Sequence, residues 1–263
     1  METLLDYIKS NITNRYSLKT RMQELLRDFN DKDFNSYQPY VVSLKSKEIL
    51  EYLNFQSISL EDKINGWKTY NDILLNVSKE CYNRFNPSMI YTFNDEIHMV
   101  FYNTSDYPDL YNGNVHKSLT TMSSFATHIF TKEFLKHNVD FDFTIGAKYA
   151  EFVQEFETLN YLIWRQLDCR RNNIITLYKY IQSDVKNLSL EEVTQSLFHY
   201  LSDLNITYKD LEYIINGNIL KKELVYIEYK DDISPRKQFN ISHELLHESF
   251  KENLRKYVLN TYL

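Results

Sequence analysis

Four glycines among 263 residues, Gly66, Gly113, Gly146 and Gly217, each stand alone in the chain. Average usage of roughly 7% would give about 18. A dinucleotide-binding fingerprint, a Walker loop and a kinase glycine loop each need two or three clustered glycines, because backbone amides must approach phosphate closely. Nucleotide binding through such a loop is therefore excluded. Two cysteines, Cys81 and Cys169, cannot supply a disulfide framework or a cysteine-rich zinc site. With 43% hydrophobic residues the chain has ample material for a packed core. The opening METLLDYIKSNITN is polar and acidic, so neither a signal peptide nor an anchor is expected there. No run approaches the roughly 18 apolar residues of a membrane span. The expectation is a soluble, cytoplasmic protein without membrane contact. A formal net charge of -6 argues mildly against a general nucleic-acid coat protein but allows a local basic groove.

Hydrophobic spacing predicts a helical segment over 1–30, and the chain is expected to continue as a central domain over 31–186 and a helical and strand extension over 187–263. Tyr40–Leu44 reads as a short buried strand, and residues 60–84 as a helix closed by Pro87. Met89–Phe93 and Ile97–Tyr102 form two β-rich arms around Asn94-Asp95-Glu96, which predicts a hairpin with an acidic tip. His116–Phe134, Leu159–Ile181 and Leu190–Leu204 are spaced as helices. FDFTIGAKY and Ile219–Lys230 read as strands, and Asn240–Tyr262 as an amphipathic helix. The class is α+β.

Adjacent carboxylates at a hairpin tip repel unless they are solvated or neutralised. One reading of Asn94-Asp95-Glu96 is a polar turn, since Asn-Asp is ordinary turn sequence. The other is a platform offering carboxylates to one or two Mg²⁺ ions that hold a nucleoside triphosphate.

Several stretches carry a more specific signal: Leu18-Lys-Thr-Arg-Met22, Tyr40-Val-Val-Ser-Leu44, Asn94-Asp-Glu96, Lys117-x-x-Thr120 and Phe141-Asp142. The most specific is Leu162-Ile-Trp-Arg-Gln-Leu-Asp-Cys-Arg-Arg-Asn-Asn173. In order and spacing they resemble the tRNA-His guanylyltransferase family, nearer to its guanylyltransferase-like branch, over roughly residues 18–225. That resemblance implies a palm-like antiparallel sheet with helices packed on one face, flanked by helical N- and C-terminal extensions. It implies nucleotide addition to a tRNA or other RNA 5′ end, in the 3′-to-5′ direction, with Mg²⁺ and with GTP or ATP as substrate. It also implies a homo-oligomer, a dimer or tetramer.

Carried over by resemblance, Asp95 and Glu96 are the catalytic, metal-binding carboxylates, and Asn94 stands where a serine is usual. Lys117 matches a triphosphate-binding lysine, and an ammonium suits phosphate as a point charge; without the motif it would read as a solvated helix lysine. Arg165 and either Arg170 or Arg171 would contact phosphate or the RNA end. Asp168, Asn172 and Asn173 would fix the backbone or the base, although buried polar residues pinning a helix would give the same pattern. Trp164 and Tyr161 read as core residues, and His98 as a half-buried strand residue.

The sequence departs from the family where an aspartate-glycine pair should follow the first strand: Lys45-Ser46 stands there. An ammonium cannot coordinate magnesium. A basic position after Phe141-Asp142 has become Thr144, and Ile49-Leu50 replace an aromatic-histidine stretch. Glu48, Glu51 or Asp142 could substitute as ligand, or Lys45 could bind triphosphate by replacing one metal's charge. Two functions stay open: a nucleotidyltransferase, or a noncatalytic relative that binds nucleotide, RNA or a protein. His243-Glu-Leu-Leu-His247 is a literal helical zinc motif, but no histidine follows to complete a ligand set, so an incidental amphipathic helix is expected.

Overall fold

The computed structural model describes residues 38–55, 59–102, 111, 114–182, 188–229 and 232–258. The expected helical segment over 1–30 lies outside them. Six strands form one antiparallel sheet: β1 (Tyr40–Lys45), β2 (Met89–Phe93), β3 (Glu96–Phe101), β4 (Gly146–Glu151), β5 (Asn218–Tyr229) and β6 (Asp232–Ser242). Their order across the sheet is β4-β1-β3-β2-β5-β6. The helices that cover it are α1 (Lys47–Phe55), α2 (Leu60–Phe85), α3 (Val115–Lys136), α4 (Glu155–Lys179) and α5 (Leu190–Asp203).

Side chains alternate across a strand, so each strand feeds two cores. Tyr40, Val42, Leu44, Met99 and Leu220 pack with Trp67 and Val77 of α2 and Met122 and Phe130 of α3. Val41, Val100, Met89, Ala150 and Ile219 pack with Leu159, Leu162 and Cys169 of α4, and with Tyr257 and Val258. The α+β class and the palm-like antiparallel sheet match the expectation. The helices expected on one face are joined by α4 on the other.

Helix ends follow their local chemistry. Ser59 caps α2 by accepting from the Asp62 amide, and Asn86 ends it in the left-handed region at φ 51, just before Pro87. The predicted hairpin is present, but its turn is Asn94-Asp95, with Asn94 at φ 46, and Glu96 is the first residue of β3. Of FDFTIGAKY, only the part from Gly146 onward pairs as a strand.

The helix expected over Asn240–Tyr262 is not formed. Strand β6 runs to Ser242 and pairs with β5 over its whole length, so Phe239 and Ile241 alternate onto the first core. Helix then appears only at Phe250–Asn253, followed by a π turn at Leu254–Val258. Ile241 and Leu245 fall four apart, which suits a helix face as well as a strand followed by a turn. Hydrogen bonding decides between them. Asn216 Nδ2 donates to the His243 carbonyl, and His243 Nδ1 lies 2.9 Å from the Gly217 carbonyl. His243 and His247 thus sit on irregular chain and a turn rather than one helix face, which removes the geometry of the zinc motif.

Candidate functional site

The register of the sheet brings the site together. Lys45, the last residue of β1, lies opposite Glu96, the first of β3, on the sheet face covered by α4. Glu96 is buried and both its oxygens are occupied. Lys45 Nζ donates to Oε1 at 2.6 Å, while Arg165 Nη2 donates to Oε2 at 2.8 Å. His98 Nε2 lies 2.9 Å from Oε2, and Tyr161 Oη lies 3.0 Å from His98 Nδ1. An ionised carboxylate only accepts, so Nε2 carries the proton and Nδ1 accepts from the tyrosine hydroxyl. Arg165 Nη1 donates to Asp168 at 3.0 Å, and its guanidinium stacks 4.7 Å over Trp164.

These contacts set the charge states. Burial would raise the Glu96 carboxyl, but the hydrogen bond from His98 and the charges of Arg165 and Lys45 hold it well below the carboxylate range. Burial lowers His98, which stays neutral. Burial also opposes the charge on Lys45, but Glu96 and Asp95 overcome it and raise the lysine. Asp95 differs from Glu96. Burial pushes it up to about 6 against the pull of Lys45, and its Oδ2 is buried without a hydrogen-bond partner, 3.8 Å from Lys45 Nζ.

The cluster forms one wall of an open cavity of about 620 Å³ between the β1–β4 edge and α4. That volume lies within the range of small-molecule sites.

No family model matches the sequence, and no curated protein matches it. Solved structures do. A bacterial tRNA(His) guanylyltransferase-like protein in complex with ATP matches with a TM-score of 0.64 at 18% identity, covering 95% of this chain and 100% of that one. The chain has the guanylyltransferase fold. A bacterial protein of the same description in complex with GTP matches at TM-score 0.58 and 18% identity, over 94% and 99% of the two chains. The tRNA(His) guanylyltransferase of Saccharomyces cerevisiae matches at 0.55 and 14%, over 80% and 93%. The resemblance carried by the sequence motifs is thus matched in the fold.

On this guanylyltransferase fold the predicted residues divide into two groups. Lys45, Asn94, Asp95, Glu96, Arg165, Asp168 and Asn172 line the cavity. Lys117, Arg170, Arg171 and Asn173 do not. The Lys117 ammonium sits 5.2 Å over the Tyr111 ring. Arg170 is turned to Tyr208 at 3.1 Å and to Asn216. Arg171 is exposed. Asn173 is buried, accepting from Asn94 at 2.9 Å and donating to the Ile214 carbonyl at 2.6 Å, so it pins the hairpin turn to α4.

Among the proposed substitute ligands, Glu48 lines the cavity and accepts from Ser46 at 3.0 Å, whereas Glu51 pairs with Lys47 and Asp142 is exposed outside the lining. Sequence reasoning missed Lys47 and Lys148 as lining residues; Tyr161 and Trp164 pack in the second core as expected, and also border the cavity. His98, expected half-buried, is fully buried against Glu96. Strict alternation from Glu96 would have put His98 on the site face.

A pair of magnesium ions does not fit this donor set. Glu96 has spent its oxygens on three partners, and Asp95 Oδ2 is the remaining buried carboxylate oxygen of the turn. The Lys45 ammonium stands where a cation would bridge the two acids. A divalent ion about 4 Å from it would be repelled by about 8 kcal/mol at an effective dielectric of about 20. Among the described residues, no group of three or more histidine, cysteine or acidic side chains could hold a metal ion. No helix among them is long and apolar enough to cross a membrane.

Proposed function

We propose that the cavity binds a nucleoside triphosphate, ATP or GTP, and that the chain is a guanylyltransferase-like protein whose magnesium-dependent addition to an RNA 5′ end is weak or lost. Support for nucleotide binding comes from the cavity and from the ATP and GTP complexes of the structural neighbours. The observation that carries the loss of transfer is the Lys45 ammonium, 2.6 Å from Glu96 and 3.8 Å from Asp95. Two-metal transfer needs those carboxylates free to clamp the attacking and leaving oxygens. Here an internal cation already pairs with Glu96 and stands close to Asp95. The nucleotide and a tRNA or other RNA 5′ end are then ligands to recognise, with Asn172 and Asp168 among the lining residues. Assembly as a dimer or tetramer belongs to the same proposal.

The test is magnesium-dependent labelling of a 5′-monophosphorylated tRNA with radiolabelled GTP or ATP. Incorporation at the level of the Asp95→Ala variant is expected. Robust incorporation that Asp95→Ala abolishes would overturn the loss of transfer, while nucleotide binding is read separately by displacement of a fluorescent ATP analogue.

A further inference from the structure

Four cationic side chains line the cavity: Lys45, Lys47, Lys148 and Arg165. Three are engaged by carboxylates. Arg165 gives one nitrogen to Asp168 and another to Glu96. Lys47 pairs with Glu51 at 3.1 Å. Lys45 donates to Glu96, but an ammonium has three donors, and this side chain is 54% exposed, so N–H groups remain for a ligand. Lys148 makes no ion pair among the described residues.

The sheet places Lys148 beside Lys45. Lys148 of β4 pairs in register with Ser43 of β1, and Gly146 with Lys45, so both lysines lie on the same face. One residue pair separates them, roughly 7 Å along the strand. Thr144, at the position where the family resemblance calls for a basic side chain, lines the same cavity. A polyanion entering there meets one uncommitted cation and one partly committed cation along a single edge. It meets no seat for a divalent ion.

We infer that this cavity takes the triphosphate as a metal-free anion, with Lys148 as its phosphate-gripping residue and the remaining donors of Lys45 doing the work of a bound cation. The inference rests on the proposed triphosphate binding and adds the residue and the ionic form. A nucleotide arriving with magnesium would bring a divalent charge against the Lys45 ammonium, so the free anion is the preferred ligand.

Calorimetric titration of the full-length protein with ATP, in EDTA and in excess Mg²⁺, tests this. The expected result is at least tenfold tighter binding in EDTA. Lys148→Ala should weaken ATP binding at least tenfold but AMP binding much less, and Lys148→Arg should restore it. Lys148 is exposed, so the thermal midpoint of these variants should stay at the wild-type value. Lys45→Asp should reverse the metal preference. ATP binding that requires Mg²⁺, or a Lys148→Ala variant that binds ATP as wild type does, would overturn the inference and leave the proposed nucleotide binding standing. Failure to bind ATP in either buffer would overturn that reading, and the inference with it.

Discussion

Glu96 shows what one buried carboxylate does when three partners converge on it. Its charge is compensated by Lys45 and Arg165, and its orientation is fixed by His98, itself held by Tyr161. Breaking a buried ion pair from one side costs far more than the pair contributes, because the surviving charge is left without compensation. Glu96→Gln should therefore cost about 3 kcal/mol, leaving Arg165 with Asp168 as its remaining carboxylate partner. At about 2–4 °C per kcal/mol for a domain of this size, the thermal midpoint should fall by about 6–12 °C in a scanning fluorimetry melt. An unchanged midpoint would mean that the cluster contributes nothing to stability. Little of this cluster was legible in the sequence. Spacing put Asp95 and Glu96 at an acidic hairpin tip, but Lys45 came into view only through the family resemblance, and Arg165 lies 69 residues from the carboxylate it serves. Neither Arg170 nor Asn173 could be told from a ligand-binding residue. Which side of α4 is buried depends on partners, Tyr208, Ile214 and Asn216, that spacing within the helix does not encode.

At the scale of elements, periodicity performed best where a segment had one wet side. Helices α2, α3 and α5 came within a few residues of their observed limits, because a single apolar stripe at 3.6-residue spacing has one interpretation. Strand β3 is buried at every position, so apolar-polar patterning could not mark its site face, although alternation counted from Glu96 places His98 on it. Strand β5 was read within one residue of its limits, but its partner β6 was misread as the start of a helix. The β5–β6 hairpin is itself local, but it is anchored at its base by Ile219 and Leu220 against the distant strand β2. Gly217 makes that anchor possible. It sits at φ 74, and a Cβ there would lie 2.8 Å from the Tyr91 hydroxyl and 3.0 Å from the Thr92 carbonyl. The Tyr91 hydroxyl meanwhile donates to the Asn216 carbonyl. Gly217→Ala combines a left-handed backbone with a clash against a buried ring, and should cost about 3 kcal/mol. Gly66 lies within α2 with nothing near its missing Cβ. Gly66→Ala should stabilise by about 0.5–1 kcal/mol, since alanine loses less backbone freedom in a helix. Urea unfolding of the two variants side by side checks both signs. Equal effects would mean that the close approach at Gly217 is relieved cheaply.

The described residues form one sheet with a core on each face, and both cores draw on the same strands. Tyr40, Val42 and Leu44 enter one while Val41 between them enters the other, so neither core can open without disturbing β1. The chain carries a reporter in each. Cys81 of α2 is buried in the first core and Cys169 of α4 in the second, both free and without exposure. Burial pushes each thiol up to about 12, so the thiolate needed for reaction is scarce in the native protein at pH 8. Strands shared between the cores imply that they unfold as one cooperative unit rather than one after the other. Pulsed alkylation across a urea gradient, with each cysteine read by mass spectrometry, should therefore give both thiols the same midpoint, and no labelling of either before the transition. The midpoint should also coincide with the loss of helical circular dichroism. Earlier labelling of Cys169 alone would mean that α4 lifts from the sheet while α2 and α3 stay packed. In that case the Arg165–Glu96 contact would open with it, because α4 supplies the arginine and the sheet supplies the carboxylate. Coincident midpoints would instead tie the integrity of the cavity to the global stability of the fold, since the wall that α4 forms cannot be lost separately.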